Sequence, residues 1–458
     1  MTSAAQPLAS LAATPVQVPL VTEPLGILGS FRNARRNVLE LIPELATHVP
    51  IVSGRTGKRW HMVMDPESNR RILRDAVENY PKSDVTKMIL RPAIGDSLFV
   101  AEGAHWHWQR RVAAPVFSHR NIANLAPVMT RAAEHAAARL DAATGRAANL
   151  FDEMVAATFE VIADVTLSGG NTFDRSVVHR AINNYIADTA RVSLLDVIGA
   201  PAWVPRLGRI GSTQAMRDMK RVADTAIDAR RASGPNPIPD LLDLLLDGED
   251  ATTHRRMTTA ELRDNLLTFI VAGHETTALT LAWSLYLVAF DQAVQTRARD
   301  EAQSVLGTRA ATAADIPRLP YIRQIIDEAL RLYPPAAFLS RTAQKPDTLC
   351  GREVRPGDTV MLPIYALHRH HDLWPAPNSF NPDRFADPKA IDRFAYLPFG
   401  DGPRICIGAS FAIQEAVIIL ATLLARFRFT AIPGRNPKPI LILTLRPEGG
   451  VWLTVERA

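Results

Sequence analysis

Between Leu266 and Phe290 the chain carries an apolar run with the length of a membrane span, yet its centre reads His274-Glu275-Thr276-Thr277. A carboxylate buried in lipid is costly, so the run is better placed as a long helix through a protein core. Thr258 and Glu261 form a capping box ahead of it, and the helical pattern continues unbroken to about Phe290. Polar groups inside such a helix need a partner or a task.

The rest of the chain suits a fold built around that helix. Helical patterns fall near 104–112, 120–143, 150–167, 174–193, 212–233, 291–306 and 318–333, the last stopped by Pro334-Pro335. The segment from Ser83 to Gly103 has only weak periodicity and leads into the helix at 104–112. Strands are expected at 48–52 and 59–64, joined by the turn Ser53 to Gly57, at 359–362, and at 441–445 and 451–455 flanking the turn Pro447 to Gly450. The apolar, turn-rich stretch 197–212 reads as a packed loop or an entrance loop for greasy ligands. The fold class is therefore mainly α with a small β lobe. With no linker, low-complexity tract or repeat, the chain divides into a flexible arm, 1–24, and one large domain, 25–458.

Charge and cysteine usage exclude several functions. A net charge of +5, from 52 basic and 47 acidic residues, is mild and scattered, which disfavours nucleic-acid binding. Cys350 and Cys406 are the only cysteines, too few for a disulfide framework or a structural zinc site and suited to a reducing compartment. Residues 1–24 have neither the pattern of a signal peptide nor the length of a transmembrane anchor. His368, His370 and His371 read as a surface turn and are assigned no site.

Residues 399–408, Phe-Gly-Asp-Gly-Pro-Arg-Ile-Cys-Ile-Gly, stand directly before a helical stretch, Ala409 to Arg426. A cysteine there sits at a helix N-terminus, where the dipole and free N–H groups favour thiolate, the form that binds metal. Gly402 and Gly408 allow tight turns that aim N–H groups at the sulfur. Phe399 is placed to cover a flat cofactor, and Arg404 to pair with an anion such as a cofactor carboxylate.

Phe399, Gly402, Arg404, Cys406 and Gly408 match every fixed position of Phe-x-x-Gly-x-Arg-x-Cys-x-Gly, so the chain resembles the cytochrome P450 family. Other segments carry the same resemblance in the same order. Ala272 to Thr277 is similar to the family's oxygen-activation motif, in which a small pair kinks the helix and an acid and an alcohol relay protons; Glu275 and Thr276 take those places. The bland alternative is that Thr276 and Thr277 bond back to helix carbonyls while Glu275 meets a buried Arg. Glu328 and Arg331, with Arg384 in Asn381-Pro-Asp-Arg-Phe385, resemble the family's structural Glu-x-x-Arg network. Trp106 and Arg110, and separately Arg341, resemble residues that hold haem carboxylates.

The resemblance implies the P450 fold and Cys406 as axial ligand of heme b, iron protoporphyrin IX, whose thiolate ligation favours O–O cleavage. It implies a monooxygenase that inserts one atom of O2 into a lipophilic small molecule, using two electrons from NAD(P)H. No flavin or iron–sulfur module follows Cys406, so the expected electron donor is a separate ferredoxin or flavoprotein reductase, docking near Arg110, Arg111 and Arg393. A cytoplasmic monomer is expected. The rivals are a peroxide-driven or isomerising haem-thiolate enzyme and a non-enzymatic haem sensor.

Overall fold

The computed structural model describes residues 14–23, 25–166 and 213–458. The helix expected at 174–193 and the loop 197–212 lie outside them. At the middle stands the helix Thr259–Phe290, opened by the Thr258–Glu261 capping box that its sequence announces. It packs against the helices Leu150–Thr166, Thr213–Ser233, Pro320–Leu332 and Ala409–Arg426. Neighbours on every side explain why it is apolar all round rather than on one stripe. From Asn265 to Ala289 its side chains are buried except at Val271, Ala272, Gly273 and Thr276, which mark a gap in the packing. Among the described residues the helix Ala409–Arg426 is long and apolar enough to cross a membrane, and two thirds of it is buried against these neighbours.

The main sheet is assembled from distant segments. Ile51–Thr56 and Lys58–Val63 form an antiparallel hairpin, Lys58–Val63 runs parallel to Thr359–Leu362, and Leu339–Thr342 closes the far edge antiparallel. This last strand, which the sequence pattern does not announce, carries Arg341. The hairpin is tighter than expected: Thr56 pairs with Lys58 around Gly57 at φ +76°, so Ser53 to Thr56 belong to the strand rather than to the turn.

Four further expectations are corrected. The segment after Ser83 is helical, Asp84–Ile94, capped by the Ser83 hydroxyl on the Thr86 N–H; the internal Pro92 hides it from a periodicity reading. Strands 441–445 and 451–455 do not pair with each other. Leu445–Glu448 folds back on Lys438–Leu441, while Trp452–Arg457 joins Phe427–Ala431 and Ala147–Asn149. His368, Arg369 and His370 are buried, not a surface turn, because Arg331 and Leu397 bond to His368 from both sides. Within the expected arm, residues 14–23 lie against the body: Val16 and Val18 donate their N–H groups to the hydroxyls of Tyr286 and Tyr365, and Tyr333 donates to the Val16 carbonyl at 2.7 Å.

Candidate active site

The loop before Ala409–Arg426 is held by its own backbone. The Cys406 N–H donates to the Phe399 carbonyl at 2.9 Å, and the Gly408 N–H points at the Cys406 sulfur. Gly402 adopts φ +72°, and a Cβ there would stand 2.0 Å from the Leu73 carbonyl oxygen, so only glycine lets the loop lie on the 71–75 backbone. Gly408 differs from expectation: it is not left-handed, a Cβ would meet only Phe117 at 3.9 Å, and its contribution is the N–H. The net effect on the sulfur also differs. Burial pushes the Cys406 thiol up, and the Gly408 N–H, Arg110 and Lys82 offset that only in part. Deep position combined with accessible surface places Cys406 at the wall of an internal space.

Cations gather around that space with little to balance them. Arg404 pairs with Glu102, donates to the Ala101 carbonyl at 3.1 Å, and lies 4.4 Å over the Trp106 ring. Burial and the repulsion of Arg404 hold Arg341 down at about 10, and among the described residues its guanidinium hydrogen-bonds only to the neighbouring Ser340 carbonyl. Burial lowers Arg110 as well, against the pull of Cys406. Lys82, which the sequence reading missed, is lowered by burial, Arg341 and Arg404. Among the described residues, Lys82, Arg110 and Arg341 form no ion pair; Glu102 is the carboxylate paired within the group, through Arg404, and Glu78 acts on Arg404 from farther off. Burying unpaired cations is costly, so this set suits an anionic occupant. Lys82 went unnoticed because a lone Lys before a helix cap carries no motif. The residues present fit a flat, metal-bearing group with two carboxylates.

The central helix places its polar residues on two sides. Ala272 and Thr276, one turn apart, face the packing gap, and the Thr276 hydroxyl donates to the Ala272 carbonyl at 2.8 Å. Glu275 faces away: buried at 4% side-chain exposure, it accepts from Thr444 at 2.9 Å and pairs with Arg446, both from the C-terminal segment. This matches the bland alternative at Thr276 and in the pairing of Glu275 with an arginine, whereas Thr277 bonds to Glu415; the arrangement keeps Glu275 from Thr276. Phe117 joins the two parts of the site, lying beside Gly408 and edge-on to Phe269 at 5.1 Å.

Behind the loop, Glu328 and Arg331 form a doubly hydrogen-bonded pair with no exposed surface, at 2.6 and 2.8 Å. Arg384 reaches Glu328 at 3.3 Å, and Arg331 also donates to the carbonyls of His368, Pro377 and Ser379. Of the expected docking residues, Arg111 and Arg393 stay half or more exposed and Arg110 does not. Arg110 is turned inward toward Cys406, Arg111 pairs with Asp250, and Arg393 pairs with Asp401.

Comparison with known proteins agrees with this architecture. The family model for cytochrome P450 matches residues 19–454. Cyclooctatin synthase of Streptomyces melanosporofaciens is 32% identical over 417 residues, covering 90% of each chain. Cyclooctat-9-en-7-ol 5-monooxygenase of the same organism is also 32% identical, covering 89% of this chain and 88% of its own. A cytokinin hydroxylase of Arabidopsis thaliana is 29% identical over 91% of this chain and 84% of its own. The crystal structure of the cytochrome P450DA heme domain superposes with a TM-score of 0.78 at 26% identity, covering 94% of this chain and 92% of that one. With a Cys loop, a Glu-x-x-Arg network and a gapped central helix in one fold, and relatives matched along nearly their whole length, the chain belongs to the cytochrome P450 family and is a monooxygenase.

Proposed function

We propose that the protein inserts one oxygen atom from O2 into a lipophilic small molecule, that Cys406 is the axial ligand of heme b, and that electrons come from NAD(P)H through a separate ferredoxin or flavoprotein. The observation that carries this reading is the group of cations around the Cys406 sulfur with a single carboxylate, Glu102, paired to any of them among the described residues. Trp106, Arg110, Arg341 and Arg404 are assigned to the haem carboxylates, and Lys82 joins them. Phe399 and Gly408 support the sulfur. When bound, the haem supplies the activation of O2, one atom going to substrate and the other leaving as water with two protons and two electrons.

The side chains contribute position and protons. Thr276 both donates and accepts, so it can hold a proton donor at the packing gap. Glu275 serves as the second member of the relay only after its carboxylate leaves Arg446 and Thr444, and that exchange is the protein's control over proton entry. Ala272 and Val271 present apolar surface beside Thr276, which suits a lipophilic substrate and excludes water from its neighbourhood. The proposed setting is a cytoplasmic monomer.

The test is the absorption spectrum of the reduced protein with carbon monoxide, for wild type and Cys406→Ser. A strongly red-shifted Soret band in the wild type that disappears in the variant is expected. Haem bound with an unshifted band in correctly folded wild type would overturn the assignment of Cys406.

A further inference from the structure

Glu415 lies on the helix Ala409–Arg426 and is 2% exposed. One oxygen, Oε1, has no hydrogen-bond partner among the described residues, and the side chain bonds to Thr277, which follows Thr276 on the central helix. No charged group of either sign acts on it, and it forms no ion pair among the described residues. A carboxylate in such a place would keep the full desolvation penalty with nothing to offset it, so burial drives the group to its neutral acid, well above the ordinary carboxylate range. An apolar residue would fill this core position more cheaply, and a carboxyl group here needs a reason.

We propose that Glu415 is a positioning residue whose buried carboxyl group, bonded to Thr277, ties the helix that follows Cys406 to the centre of the long helix and fixes where Thr276 stands relative to the Cys406 loop. The two elements it joins carry the two ends of the site: the helix Ala409–Arg426 begins three residues beyond Cys406, and Thr277 is one residue beyond Thr276. A neutral acid suits the task because it both donates and accepts and brings no charge into the core. Glutamine has the same shape and the same two capacities, whereas methionine fills the volume without them. The functional part of this inference rests on the reading of Cys406 and Thr276 given above; the protonation state of Glu415 does not.

Infrared spectroscopy tests both parts. In the wild type minus Glu415→Gln difference, a protonated carboxyl band is expected at neutral pH and is retained at mildly alkaline pH. In the reduced, carbon monoxide-bound protein, the C–O stretching band reports the hydroxyl at Thr276, with Thr276→Ala as reference. Glu415→Met is expected to shift that band in the direction of Thr276→Ala, while Glu415→Gln leaves it in place. A carboxylate signature in place of the acid band, an unshifted band in Glu415→Met, or an equal shift in Glu415→Gln would each overturn the proposal. Should Glu415→Met not retain haem, Glu415→Leu takes its place. Failure of the haem-thiolate reading appears separately, as a missing red-shifted Soret band in the wild type, and leaves the acid band free to decide the state of Glu415.

Discussion

His368 shows how far a single side chain is bent to the fold. Its Nε2 accepts the Leu397 N–H at 2.9 Å, which leaves the proton on Nδ1, facing the Arg331 carbonyl at 3.2 Å. Burial, reinforced by the Arg331 guanidinium, lowers it from 6.5 to about 3. Between those values the unfolded chain takes up a proton that the native protein refuses. The contribution to stability is therefore complete above pH 6.5 and drains away as pH falls toward 3. Each such proton is worth about 1.4 kcal/mol per pH unit. His368→Asn is expected to flatten this part of the curve: on going from neutral to acidic pH it loses less unfolding free energy than wild type, although it starts lower. Denaturant titrations at several pH values check this, and parallel curves for the two proteins would show that His368 is not held neutral. The same residue marks a limit of sequence reading. A run of His, Arg, His and His looks solvated; its last member, His371, is exposed, and it is the distant Arg331 and Leu397 that hold His368 inside.

At the scale of elements, the decisive relation is between the central helix and the C-terminal segment that holds Glu275. Thr444 and Arg446 bring a hydroxyl and a guanidinium to a carboxylate with almost no exposure. Arg446 keeps one fifth of its side-chain surface, so the pair is partly solvated and its loss is milder than that of a fully buried one. Arg446→Gln is expected to destabilise the protein by about 2 kcal/mol, because Glu275 is left buried without its cation. Adding Glu275→Gln restores most of that loss, and additive losses in the double variant would mean that the two residues are uncoupled. Locally encoded features of these elements were legible: the Thr258–Glu261 box, the length of the central helix, and the Glu328–Arg331 spacing on one helical face. Strand pairing was not. The Pro447-Glu448-Gly449-Gly450 turn invites a hairpin, but Leu445–Glu448 finds Lys438–Leu441 instead, and Trp452–Arg457 finds Phe427–Ala431 and the much earlier Ala147–Asn149. Period and turn residues specify which segments extend and leave their partners to tertiary packing. The relation of Glu275 to Arg446 is of the same kind, since a helix motif carries no sign of which distant strand faces it.

The molecule as a whole brings four cations from four places in the chain to one internal space: Lys82 before a helix, Arg110 within one, Arg341 on the sheet edge and Arg404 in the Cys loop. Motif resemblance identified three of them, and folding adds the fourth. Their mutual repulsion is a cost of the haem-free fold, felt by Lys82 and by Arg341, which forms no ion pair among the described residues and is held down at about 10 by burial and Arg404. An anionic ligand reverses the sign of that term, since each charge-assisted hydrogen bond to a carboxylate contributes about 1.5–3 kcal/mol. Arg341→Gln is therefore expected to act oppositely on the two forms. The haem-free protein gains about 1 kcal/mol, through relief of repulsion and desolvation, while haem affinity falls about tenfold to a hundredfold. Denaturant unfolding of the haem-free and haem-bound proteins, together with the rate of haem transfer to an acceptor protein, measures both quantities. Because ligand binding stabilises the native state in proportion to the logarithm of its affinity, the advantage of Arg341 should appear only in the haem-bound form. Destabilisation of both forms by the same amount would instead make Arg341 a packing residue of the sheet edge, and the charge balance of the site would then rest on Lys82, Arg110 and Arg404.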